Sequence, residues 1–90
     1  MADDKNKTVT LKKVTLYVGS HCHLCEQARQ LISPVLDELG WQCEEVSITD
    51  DTDLMALYGL RIPVLKTPGS VEKGWPFAEG QVRRLLQAES

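Results

Sequence analysis

Apolar residues recur along the chain at two periods, and the change from one to the other marks the elements. From Val9 to Val18 the chain carries β-branched and aromatic side chains, and Val14 to Val18 (VTLYV) ends at Gly19 as a buried strand does. Beyond Gly19, Leu24, Ala28, Leu31, Ile32, Val35, Leu36 and Leu39 follow at steps of three and four, drawing one stripe along a helix that Gly40 stops. Pro34 falls inside that stripe, where it removes a backbone hydrogen bond and crowds the Gln30 carbonyl. A kinked single helix is expected there rather than two helices.

Trp41 to Ile48 reads as a second strand. Asp51 or Thr52 can cap a short helix whose apolar positions Leu54, Leu57 and Tyr58 end at Gly59. Ile62 to Lys66 and Val71 to Lys73 are short extended runs separated by Thr67-Pro68-Gly69-Ser70, a composition that makes a tight turn and an antiparallel hairpin. Trp75-Pro76-Phe77 breaks the pattern, and a last helix places Val82, Leu85 and Leu86 on one face, with Gly80 near its start. The predicted order is β-α-β-α-β-β-α.

Ninety residues with 42% apolar suit one domain with a modest core, residues 1–90, in which residues 1–12 form a polar, frayed tail. The net charge is −3 and the ten Lys and Arg are scattered, so no stripe is present for nucleic acid or an anionic membrane. Met1 to Lys13 lacks the apolar stretch of a signal peptide, and no segment approaches the ~20 apolar residues that span a bilayer. A cytoplasmic monomer is expected.

In a reducing compartment three cysteines read as redox or metal chemistry before structural disulfides. Cys22 and Cys25 open the first helix, immediately after the first strand. At a helix mouth Cys22 meets unpaired N–H groups and the positive dipole end, which favour its thiolate. Two intervening residues bring the sulfurs within bonding reach, so Cys25 can resolve a mixed disulfide formed at Cys22.

His21 and His23 flank the nucleophile and are secondary candidates for proton transfer, the simpler reading being solvent-exposed polar residues. Glu26, one turn on, opposes a thiolate. His21-Cys22-His23-Cys25 also suggests a metal, since thiolate and imidazole suit zinc, but so short a run cannot converge tetrahedrally and no second pair completes the shell. Binding of a metal or a partner protein through the pair therefore stands as an alternative, and an inactive scaffold as another. Cys43, in the second strand, reads as a small buried apolar residue.

The chain resembles the glutaredoxin-like members of the thioredoxin superfamily, through Cys22-His23-Leu24-Cys25 and Tyr58-Gly59-Leu60-Arg61-Ile62-Pro63-Val64-Leu65. Within them it is most similar to a short family of CHLC and YGxRIPVL proteins. The resemblance implies a thioredoxin-like α/β fold, a four-stranded mixed sheet flanked by three helices. It also implies a cis Ile62–Pro63 bond beside the cysteine pair, with the Ile62 backbone free to align a peptide or glutathione. Two departures bear on substrate. Thioredoxins carry Trp-Cys-Gly-Pro-Cys where this chain has Ser20-His21-Cys22-His23-Leu24-Cys25, and glutathione-using glutaredoxins carry a Gly-Gly turn and an acidic residue near Gly74-Trp75-Pro76. Trp75 and Phe77 are then candidates for an apolar lip or for core packing. The expected activity is dithiol oxidoreduction of protein or small-molecule disulfides. Cys22 attacks and Cys25 resolves, no metal or bound cofactor is needed, and glutathione is a candidate co-substrate.

Overall fold

The computed structural model describes residues 12–89. The expected tail, residues 1–12, lies outside the described residues except for its last. Four strands and three helices follow in the predicted order: β1 (Lys13–Val18), α1 (His23–Leu39), β2 (Gln42–Ser47), α2 (Thr52–Tyr58), β3 (Val64–Lys66), β4 (Glu72–Gly74) and α3 (Glu79–Ala88). The sheet order is β2-β1-β3-β4, with β1 parallel to β2 and antiparallel to β3, and β3 antiparallel to β4. This is the mixed four-stranded sheet with three helices expected from the sequence.

Side chains alternate across a strand, and β1 uses both faces. Val14, Leu16 and Val18 join Ala28, Ile32 and Val35 of α1, Val82 and Leu86 of α3, Leu65 and Phe77 in the larger core cluster. On the opposite face Tyr17 stacks on Tyr58 of α2, with ring centroids 4.3 Å apart, beside Ile48 and Val64. Helices α1 and α3 therefore cover one face and α2 the other.

Helix α1 runs unbroken through Pro34. It stops at Gly40, whose φ of +75° is left-handed backbone that suits glycine, and the Gly40 and Trp41 N–H groups both reach back to the Leu36 carbonyl. Asp51 caps α2, its carboxylate accepting from the Leu54 N–H at 3.0 Å. On α2 Tyr58 is buried, but Leu57, expected on the same apolar face, is 60% exposed. Helix α2 meets the smaller core cluster through Leu54 and Tyr58, a contact too narrow to cover Leu57 as well.

The hairpin turn is tied to the end of α3. The Thr67 hydroxyl, buried, donates to the Glu89 carboxylate, which also accepts from the Gly69 N–H at 2.8 Å. The second strand corrects one expectation. Trp41 and Ile48 at its ends are buried, but of Gln42–Ser47 only Val46 is even partly covered, and Cys43 is exposed. The strand lies at the sheet edge, beyond the reach of the core that encloses β1.

Candidate functional site

The loop Gly19–His21 carries the chain from the end of β1 to the first turn of α1, and Cys22 is the N-cap of that helix. Its Sγ accepts a hydrogen bond from the Cys25 N–H at 3.1 Å and is bonded to Cys25 Sγ in a disulfide with a Cα–Cα distance of 5.2 Å. The two sulfurs differ in access: Cys22 is half-buried, whereas Cys25 is 1% exposed and belongs to the core. A seventeen-residue helix therefore points its N–H groups and its positive dipole end at the accessible sulfur.

Cys22 opens into a cleft of about 360 Å³ lined by Gly19, His21, His23, Glu26 and Arg29. Both histidines are exposed, and His21 adopts a positive φ of 53°. Among the described residues no three His, Cys, Asp or Glu side chains are placed to share a metal ion. Arg29 does not offer a free charge, because its Nε and Nη2 both donate to the Glu45 carboxylate on β2, Nη2 at 2.9 Å. No motif in the sequence marks Arg29, although counting seven residues on from Cys22 along a helix puts it on the same face.

Ile62 and Pro63 lie on the loop between α2 and β3. The Ile62–Pro63 and Trp75–Pro76 peptide bonds are cis. Ile62 presses against the loop into Cys22, so that a Cβ at Gly19 would meet its Cδ1 at 2.6 Å. Its N–H donates to the Tyr58 carbonyl at 3.1 Å and is not free for an incoming chain. The Ile62 carbonyl has no hydrogen-bond partner among the described residues. Pro63 is buried, and its carbonyl accepts the Trp75 N–H at 3.0 Å. Trp75, half-buried, meets Phe77 edge to face with centroids 5.1 Å apart and packs on the core cluster, and it lines neither Cys22's cleft nor the groove beside Ile62.

The same loop is fastened by a polar network that sequence spacing does not reveal. The Tyr58 hydroxyl donates to Glu72 Oε2 at 2.6 Å, Arg61 Nη2 donates to Glu72 Oε1 at 3.3 Å, and the Arg61 guanidinium lies 5.5 Å over the Tyr58 ring. The bond to Glu72, then burial, pushes the Tyr58 phenol up to about 12. The same bond holds the Glu72 carboxyl below its ordinary value, with Arg61 adding to the effect.

Cys43 is absent from the cleft. Paired in register with Val14, it stands on the α1 side of the edge strand, two residues from Glu45. Partial desolvation of its sulfur, then the Glu45 charge, push the thiol up to about 11, more than Arg29 offsets. Exposure without a lowered pKa gives a slow nucleophile at neutral pH.

The family model of the Glutaredoxin-like domain (DUF836) matches residues 13–87. The X-ray structure of Northeast Structural Genomics target protein XcR50 from X. campestris is similar at 40% identity, over 83% of this chain and 96% of that one, with a TM-score of 0.73. The solution structure of the same protein is similar at 39% identity, over 83% and 92% of the two chains, with a TM-score of 0.73. The first two thioredoxin domains of Eps1p from Naumovozyma dairenensis share the fold alone. They are 16% identical over 87% of this chain and 35% of that one, with a TM-score of 0.53. No curated protein matches the chain, and no described helix is long and apolar enough to cross a membrane.

Proposed function

The chain belongs to the glutaredoxin-like domain family (DUF836), and from that premise we propose that it is a thiol-disulfide oxidoreductase in which Cys22 attacks and Cys25 resolves. One observation carries the reading: the disulfide pairs an accessible sulfur at a helix mouth with a sulfur sealed in the core. In the reduced protein the Cys25 N–H that points at Cys22 Sγ at 3.1 Å, with the helix dipole at ~0.3–1 kcal/mol, favours the thiolate there.

The Cys22 thiolate attacks one sulfur of a substrate disulfide. A bond forms from Cys22 Sγ to that sulfur, the substrate S–S bond breaks, and the other half leaves as a thiolate that takes up a proton. Cys25 then loses its proton to water and attacks Cys22 Sγ, which expels the second half as a thiolate and closes the Cys22–Cys25 disulfide. Two electrons have passed to the substrate, and an external thiol, glutathione or a reductase dithiol, returns them. The pair itself carries the electrons, so the reading calls for no bound cofactor, and one chain supplies both sulfurs. A cytoplasmic setting, where such thiol donors are maintained, fits this cycle.

The test uses the reduced full chain with a disulfide-bonded peptide and intact-mass detection. Wild type should end as the internal disulfide with both peptide halves released. Cys25→Ser should stop with one peptide half bonded to Cys22, and Cys22→Ser should form no adduct. An adduct on Cys43, or turnover by Cys22→Ser, overturns the assignment.

A further inference from the structure

A second groove meets the cleft of Cys22 at Gly19, which lines both. This groove, about 260 Å³, is bounded otherwise by Ser20, Ile48, Thr49, Met55, Gly59 and Ile62. Gly19 lies three residues before Cys22, at most roughly 10 Å of extended chain, which is the reach of one or two substrate residues from a sulfur joined to Cys22.

Its chemistry is apolar. Ile48 is buried, Ile62 is half-buried, Met55 is 47% exposed, and Leu60 in the adjoining loop is fully exposed. The two hydroxyls present are turned on each other: Ser20 Oγ and Thr49 Oγ1 are 2.9 Å apart, and Thr49 Oγ1 also accepts the Ser20 N–H at 3.2 Å. No cation lines the groove. Arg61 is committed to Glu72 and the Tyr58 ring, and Arg29, on the other cleft, to Glu45. Asp50, Asp51 and Asp53 fall in the chain between Thr49 and Met55, two of the residues that line the groove, with Asp51 capping α2 and Asp53 in its first turn.

Resting on the redox reading above, we infer that this groove seats an apolar side chain flanking the reactive half-cystine of a polypeptide disulfide. Glutathione, with a carboxylate at each end, finds no cation there and meets the aspartates, so its disulfide is a poor substrate. The pairing is apolar surface with apolar side chain and carboxylate with repulsion, which together set the substrate class.

The test measures exchange rates of the reduced protein with two peptide disulfides differing only in Leu or Asp beside the cysteine, with oxidised glutathione, and with the small neutral disulfide of 2-mercaptoethanol. The Leu peptide should react at least about tenfold faster than the Asp peptide or oxidised glutathione, a difference of about 1.4 kcal/mol. Met55→Lys should bring the Leu-to-Asp ratio close to unity. Leu57→Lys, on the same helix but outside the groove, should keep the ratio. Equal wild-type rates, or an unchanged ratio in Met55→Lys, overturn the groove assignment while leaving the redox reading intact. No exchange with any of these disulfides, the neutral one included, overturns the redox reading and the inference with it.

Discussion

Tyr58→Phe isolates one hydrogen bond at the loop that carries Ile62 and Pro63. Phenylalanine keeps the buried ring and its stacking on Tyr17, and the main-chain carbonyl still receives the Arg61 and Ile62 N–H groups. Only the donor to Glu72 is lost. A hydrogen bond to a charged acceptor contributes about 1.5–3 kcal/mol, and the lower end applies because the Glu72 side chain is 28% exposed and keeps Arg61. A loss of about 1.5 kcal/mol should lower the melting temperature by roughly 6–12 °C in a domain of this size. The pH dependence follows from the two shifts. Tyr58, raised to about 12, contributes stability that is full below its ordinary value of 10 and is lost as pH rises toward the native one. Glu72, lowered from 4.5, contributes stability that is full above that value and is lost as pH falls through its depressed native one. Urea denaturation of the oxidised proteins should therefore show a difference between wild type and variant that is flat near neutrality and shrinks in acid and in strong base. A difference below about 0.5 kcal/mol at pH 7, no larger than an ordinary surface change, or one that persists unchanged at low pH, refutes the reasoning.

Three further outcomes test other parts of the molecule. Because Cys43 is exposed with a thiol near 11, Cys43→Ala should shift stability by less than about 0.5 kcal/mol and keep disulfide exchange. In the reduced wild type at pH 7, iodoacetamide should label Cys22 well before Cys43, as read by peptide mapping. Gly40→Ala meets no neighbouring atom within 4 Å but must hold a φ of +75°, so the urea midpoint should fall by the backbone term alone, about 1 kcal/mol. An unchanged midpoint would show that the helix can end there without left-handed backbone.

The order of elements was legible because the apolar periods are strong where burial is complete. The α1 stripe from Ala28 to Leu36 and the alternate residues Val14, Leu16 and Val18 of the VTLYV strand face the larger core, and the Cys22–Cys25 pair follows from their junction. Cys43 was misplaced because strand character says nothing about position within a sheet. The run Gln42 to Glu45 is polar apart from the cysteine, which is the composition of an edge strand and not of a covered one. The engagement of the Ile62 N–H was hidden as well, since it depends on how α2 ends. Tyr58, Arg61 and Glu72 come together only when the hairpin folds β4 back beside the α2 terminus, a proximity that spacings of 11 and 14 residues do not encode.

The N-cap of α1 makes one atom serve two trades. The sulfur proposed to do the chemistry is also the acceptor that ties down the first turn of the longest helix. A substitution at position 22 therefore reports on two things unless its replacement can still accept that N–H. Serine retains an oxygen suited to an N-cap and removes the thiol chemistry alone. Alanine removes both, so an inactive Cys22→Ala protein would confound a lost nucleophile with a frayed helix.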